Sequence, residues 1–354
     1  MNILAFETSC DETAAAIVQN GRRSLSGVVL SQTDIHALYG GVVPELASRR
    51  HMEAMVVLTD RALAQADLTK QDIDAVAVTH APGLVGALLV GVGFAKGAAF
   101  ALGRPLIPVH HIRGHVAACY LSHPELEPPF TALVASGGHT LILDVRTYTK
   151  MTVLGSTRDD AAGEAFDKVA RVLGLGYPGG AALEALAARG SSDAYALPCP
   201  KVDNHPLDMS FSGLKTAVLN ILNSAHMKGE EVDKAGLAAS FTKAACQTLV
   251  SRTVLAADQL GYDVCVLAGG VAANAALRQA LQQALGGRRL LVAPPISLCG
   301  DNAAMIGAQA YYEWTAGATA DMTLNAYANL TVEGNPIASG DARNYVNNSL
   351  TSAK

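Results

Sequence analysis

Two histidines four residues apart, His111 and His115, are the side chains here best spaced to do chemistry. They follow the apolar run Leu106-Ile107-Pro108-Val109 and open a segment, Val116–Leu121, that can continue as a helix. On a helix, positions i and i+4 lie one above the other, so both imidazoles can point a nitrogen at one metal ion. The same pair could instead cap backbone groups or line a polar core. Asp301 stands in Cys299-Gly300-Asp301-Asn302, before the apolar run Ala303–Ala310. It is the best-placed third ligand, or else simply the N-cap of that helix. Two histidines and a carboxylate leave coordination positions open, as catalytic iron and zinc sites do.

Three glycine-rich turns follow apolar strands: Ser136-Gly137-Gly138, Gly176-Tyr177-Pro178-Gly179-Gly180 and Ala268-Gly269-Gly270. Turns without Cβ atoms let backbone N–H groups approach phosphate oxygens, and adjoining helix starts add a favourable dipole end. One such turn is ordinary, but three together point to a nucleotide. Glu7, Asp11 and Glu12 occupy the first polar turn. An acid there can hold a metal–phosphate or position a nucleophile, although surface acids in turns are common. Glu164 and Lys168 read as a solvated i,i+4 pair. Asp167 can face a cleft and accept from a hydroxyl or an amine.

The elements that must position these groups come twice. Asn2–Phe6, Ala14–Val18 and Ser24–Ser31 read as strands, with a hairpin at Asn20-Gly21. A helix begins at Pro44 and runs to about Leu63; Asp74–Thr79 and Leu106–His110 are further strands. The order then restarts with Phe130–Ala135, a polar turn and Leu141–Val145, followed later by strand Val264–Leu267 and helix Ala272–Leu285. This describes a duplicated α/β fold with a cleft between two lobes. The lobes are expected at residues 1–128 and 129–322, with an insertion at about 160–212 and a polar, frayed tail over 323–354.

Composition agrees. A chain of 354 residues exceeds a usual single core, and 33 glycines with 16% charged residues suit close-packed α/β layers. The net charge of −5 does not advertise a nucleic-acid binder, so any RNA must be held by a local patch or with partners. Arg22-Arg23, Arg49-Arg50 and Arg288-Arg289 are candidate phosphate contacts or ordinary solvated pairs. Six scattered cysteines without a C-x-x-C pair fit a reducing cytoplasm. The run Ala81–Gly103 is long enough to span a bilayer, but Lys96, its glycines and Pro82-Gly83 favour a buried helix and no membrane.

Several stretches match one family together and in order. They include Phe6-Glu7-Thr8-Ser9-Cys10-Asp11-Glu12-Thr13, Gly40 through Arg49, His110 through His115, and Ser136-Gly137-Gly138-His139-Thr140. Gly163 through Lys168, Tyr177 through Gly180, Phe211 through Thr216, Ala268 through Asn274 and Asp301-Asn302 complete the set. Over about residues 1–320 the chain resembles the tRNA adenosine threonylcarbamoyltransferases, formerly labelled O-sialoglycoprotein endopeptidases. It departs at Ala5-Phe6, where Gly-Ile is usual, and at Gly300, where Thr is common.

The resemblance implies the two-lobed actin-like ATPase fold, related to ribonuclease H. It implies transfer of threonylcarbamoyl from threonylcarbamoyl-AMP to the exocyclic amine of the adenosine beside the anticodon. By position, His111, His115 and Asp301 would hold one divalent metal, iron(II) ahead of zinc(II). Val134, Ala135, Ser136, Gly137, Gly138, Asp167, Gly180 and Asn274 would hold the adenylate, and an ATP-like nucleotide could occupy the same place. Glu12, with Asp11, is the candidate general base. Implied partners are tRNA, a paralogous actin-like protein, a small P-loop ATPase and an upstream threonylcarbamoyl-AMP synthase. Two rivals remain: an ATPase or small-molecule kinase of the same fold, and a metalloendopeptidase. The second needs Glu after its first histidine, where Ile112 stands.

Overall fold

Strand β1 (Asn2–Glu7) is buried at every residue but the first, which its near-continuous apolar sequence requires of a central strand. The computed structural model, which describes residues 1–200 and 202–334, pairs it antiparallel with β2 (Glu12–Gln19). β2 turns at Asn20-Gly21, both at positive φ (51° and 69°), into β3 (Arg23–Ser31). The short α1 (Thr33–Ala37) leads to α2 (Pro44–Gln65), which starts on proline as its sequence predicts. Then come β4 (Ala75–Ala81), α3 (Val85–Leu102), β5 (Leu106–His110) and α4 (His111–Ser122).

The second lobe holds β6 (Phe130–Ala135), β7 (Thr140–Val145), β8 (Met151–Ser156), α5 (Ala162–Leu173) and α6 (Gly179–Ala187). It continues with α7 (Ser212–Lys228), α8 (Lys234–Leu260), β9 (Val264–Ala268), α9 (Ala275–Leu285) and β10 (Leu290–Val292). After these, α10 (Ala303–Thr315) returns to the first sheet, so the expected second lobe of 129–322 does not hold to its end. The first sheet runs β3-β2-β1-β4-β5 and the second, read from its far edge, β8-β7-β6-β9-β10. The two orders are the same, so the duplication read from the strand–turn pattern is a real repeat of topology.

Two helices join the halves. Residues of α4 (Ile112, Val116, Ala117) pack with β6 and β7 of the second sheet, whereas Met305 and Ile306 of α10 pack with Ile3, Ala5 and Val18 of the first. α4 and α10 lie against one another, and a Cβ on Gly114 would sit 2.7 Å from Ile306 Cδ1. A larger residue there would have to push the Ile306 and Met305 side chains aside.

Three other expectations need correction. β8, α7 and α8 were not legible: α8 buries sixteen of its residues around most of its circumference, so no amphipathic stripe marks it. α3 is not fully buried. It lays Ala87, Leu88, Val92, Ala95 and Ala99 on the sheet and leaves Val85, Leu89 and Phe100 exposed. The polar residues from Thr323 do not fray at once but dock as far as Gly334, burying Leu324, Ala326 and Val332. The rest of that tail, residues 335–354, lies outside the described residues.

Candidate metal centre and nucleotide cleft

β5 passes into α4 without a loop, and the His110 side chain caps the helix by accepting from Ile112 N at 3.2 Å. His111 is therefore the first helical residue, with His115 one turn on, and their rings stand 4.6 Å apart. Asp301 is not the N-cap of α10. Asn302 takes that task, its Oδ1 accepting from Met305 N at 2.9 Å. The freed Asp301 carboxylate has Oδ1 3.3 Å from His115 Nε2 and 3.6 Å from His111 Nε2. One donor atom from each of the three residues falls within 4.8 Å of the others. Ligands about 2.0–2.2 Å from a zinc-sized ion stand roughly 3–3.5 Å from one another, so the triad needs little adjustment to hold one. His115 is wholly buried, yet neither ring nitrogen makes a hydrogen bond. A buried imidazole left so is costly as a structural residue and well suited as a ligand.

Behind His111 lies Glu7, at the end of β1 and wholly buried. Its Oε2 is 3.0 Å from His111 Nδ1 and accepts from Thr79 Oγ1 at 2.6 Å, while Oε1 accepts from Ser9 N at 2.5 Å. Burial alone would raise the Glu7 pKa, but His111 and these donors bring it below the usual value. Burial likewise works to lower His111, and Asp301 and then Glu7 outweigh it, lifting the imidazole to about 9. A proton held at Nδ1 by a carboxylate leaves Nε2, the nitrogen facing Asp301, as the donor to a metal. Asp301 is held well below the carboxylate range: its burial is overcome by His111 and His115.

Two members of the triad, His111 and Asp301, stand on the wall of a cleft of about 990 Å³ between the lobes, and His115 is buried behind that wall. His111 and Asp301 face it, as do Asp11, Glu12, Ser136, Gly137, Gly138, Asp167, Gly180 and Asn274. Val134 and Ala135 do not: they are core residues of β6 that carry the Ser136 turn. Asp167 Oδ1 accepts from Gly179 N at 2.8 Å and so fixes the second glycine turn. Asn274 caps α9 through Leu277 N at 2.9 Å while lining the cleft. Burial first, then Asp301 and Asp11, push the Glu12 carboxyl up to about 9. His139, which also lines the cleft, is brought down to about 4 by burial and by the nearby His111 and His115.

The third glycine turn depends on its backbone. Gly269 has φ +91°, and a Cβ there would press into the Ala135 carbonyl. Gly269→Ala is expected to destabilise the fold by at least about 2 kcal/mol, read as a lower thermal midpoint; an unchanged midpoint would mean the turn relaxes freely.

The sequence placed Glu7 in a polar turn and did not pair it with His111. A charged residue ending a run of five strand residues was the only signal available. Also missed was a contact across the cleft mouth, where Arg171 of α5 donates to Gly40 O. Arg22 is neither a phosphate contact nor a solvated pair. Its guanidinium sits 4.9 Å from the Tyr120 ring and 5.5 Å from those of Tyr148 and Tyr312, and it donates to Leu126 O at 2.9 Å. Arg49, Arg50 and Arg289 pair with Glu45, Glu53 and Asp258.

Matched five-stranded sheets with a nucleotide-sized cleft between them place the chain among two-lobed actin-like proteins. Solved structures agree on this fold. The chain is similar to HypF from T. kodakarensis (TM-score 0.61, 15% identity, covering 89% of this chain and 48% of that one). It is also similar to component A of the Acidaminococcus fermentans (R)-2-hydroxyglutaryl-CoA dehydratase (TM-score 0.52, 16% identity, 89% and 99% covered). The family model TsaD, tRNA N6-adenosine threonylcarbamoyltransferase, matches residues 23–308. Curated proteins of that name from Clostridium perfringens and Clostridium botulinum are 53% and 51% identical over 330 and 331 residues, 93% of this chain and 97% of theirs. The chain belongs to the tRNA N6-adenosine threonylcarbamoyltransferase family, whose members are acyltransferases.

Proposed function

We propose that this chain transfers the threonylcarbamoyl group of threonylcarbamoyl-AMP to the exocyclic amine of an adenosine beside the tRNA anticodon. The observation that carries the reading is the His111-His115-Asp301 triad, which presents His111 and Asp301 to the cleft that the glycine turns also line. The new N–C bond forms at the carbamoyl carbon, the bond from that carbon to the phosphate oxygen breaks, and AMP departs with the electron pair. Backbone amides of Gly137, Gly138 and Gly180 hold the phosphate, with Val134 and Ala135 fixing the Ser136 turn from beneath. Asp167 and Asn274 orient the nucleoside, which is catalysis by positioning. Asp11 stands on the same cleft and takes the proton the amine releases. Glu12, its carboxyl pushed up to about 9, already carries a proton at neutral pH and does not serve as the base expected of it. His111, His115 and Asp301 would hold a divalent ion, iron(II) in preference to zinc(II), which would supply Lewis-acid stabilisation of developing charge. The target base must leave its stack to enter, which a single-stranded anticodon loop allows at low cost.

The apolar face of α2 and α3, where Met52, Val56, Leu89 and Phe100 are exposed, suits the matching helix pair of a paralogous actin-like partner. A small P-loop ATPase and a threonylcarbamoyl-AMP synthase complete the cytoplasmic system. The kinase rival fits poorly because such enzymes hold Mg²⁺ through carboxylates and waters, not imidazoles. The decisive assay supplies labelled threonine, ATP, bicarbonate, the synthase and candidate partners to unmodified tRNA. Label on tRNA that requires this chain supports the reading. No label from folded, metal-loaded protein under any combination sinks it in favour of phosphotransfer.

A further inference from the structure

Behind the metal helix, the chain's C-terminal segment runs as a strap that the transfer chemistry does not use. On the first lobe Tyr327 N donates to His80 O at 2.9 Å, and Gly83 N donates to Ala328 O at 3.2 Å. On the second lobe Val153 N of β8 donates to Glu333 Oε1 at 2.8 Å. Between these anchors the strap meets the two residues that flank His111-Ile112. His110 Nε2 lies 3.0 Å from Leu330 O, and Arg113 donates to Val332 O through Nε at 3.1 Å and Nη2 at 2.8 Å. Arg113 also donates through Nη1 to Glu313 Oε1 at 2.8 Å.

Arg113 and Glu313 are 4% and 3% exposed, so their charges are held away from water. A buried ion pair is weak evidence of stability, since apolar residues of the same volume serve as well, and its best-attested use is to fix one arrangement. Here the arrangement is that of α4 on α10. Two residues along a helix from His111, Arg113 points to the side opposite the imidazole pair. Asp301 lies just before α10 and Glu313 near its end, so the pair ties together the same two helices that bring the metal donors together. Gly114 lets those helices touch, and the Arg113 fork fixes their rotation and seats the strap on both.

We propose that Arg113 is a positioning residue for the metal triad, acting through Glu313 and through the strap Tyr327–Glu333. The inference rests on the metal reading given above. Full-length protein, stripped of metal, is titrated with cobalt(II) by its visible absorption, beside hydrogen exchange of residues 327–333 and thermal unfolding. Arg113→Lys keeps a charge for Glu313 but cannot reproduce the fork on Val332. It should speed exchange across the strap and weaken cobalt binding about tenfold, the low end for supporting groups around metal ligands. Arg113→Met with Glu313→Met removes both charges at similar volume and should behave likewise, so a fold lost to one unpaired charge does not decide the matter. Phe241→Leu, a core change in the second lobe, controls for general destabilisation and should leave cobalt affinity unchanged. A loosened strap with undiminished cobalt affinity overturns the proposal, and so does weaker cobalt binding without a loosened strap. Parent protein that binds no cobalt defeats the metal reading itself.

Discussion

Replacing His111 with alanine is expected to remove stoichiometric metal and to lower threonylcarbamoyl transfer by at least about 100-fold, the scale of losing one electrostatic stabiliser. Two donors, His115 Nε2 and the Asp301 carboxylate, would remain, and two do not hold a catalytic ion against water. The Glu7 carboxylate would lose the imidazole that keeps its pKa down, so burial, its largest influence, would favour the neutral acid. Ser9 N and Thr79 Oγ1 would still satisfy its oxygens, and the fold should therefore persist. His139→Ala is the matched comparison. Its ring is 6.4 Å from that of His111, yet it contributes no donor to the triad. Metal content by elemental analysis and labelled transfer should part the two variants. His111→Ala protein that keeps its metal would remove the triad from the mechanism.

How much of this could be read from the chain depended on how locally each feature is written. The i,i+4 spacing of His111 and His115 is a property of five residues, and helix geometry alone turns it into a shared face. The glycine turns and the Asn20-Gly21 hairpin are equally local. Asp301 needed one step more, because an acid before an apolar helix reads first as a cap; only the position of Asn302 Oδ1 on Met305 N resolves it. Glu7 and His111 are 104 residues apart, and no local pattern announces that a strand end and a helix start will meet. The Arg113–Glu313 pair spans 200 residues and was illegible for the same reason. α8 failed differently. Its small and apolar residues face neighbours on most sides, so the periodicity that reveals surface helices is missing. The strap was judged by its polarity, but it is held largely through backbone groups, which every residue has, and by the few apolar side chains it buries.

Glu7→Gln tests whether the buried carboxylate does more than fill space. Glutamine keeps the shape and one acceptor, but its amide N–H group can face His111 Nδ1 and favour the tautomer with the proton on Nε2, the nitrogen that faces Asp301. Affinity for cobalt(II) is expected to fall by up to about 100-fold at the pH where the parent binds best. The pH dependence carries the sharper prediction. In the parent a metal must displace the proton that Asp301 and Glu7 hold on His111, so affinity climbs with pH and levels off near 9. Without the Glu7 charge that imidazole titrates lower, because burial opposes its charged form and only Asp301 and the weaker influence of Glu12 remain to favour it. The variant therefore levels off sooner, and its deficit against the parent should widen as pH rises through the window up to about 9. In acid the easier loss of the variant's proton partly offsets its weaker site, and the two curves converge. Cobalt titrations across that range read the slope directly. A deficit that stays constant, or is largest in acid, would mean that Glu7 supports the strand end and leaves the His111 proton alone.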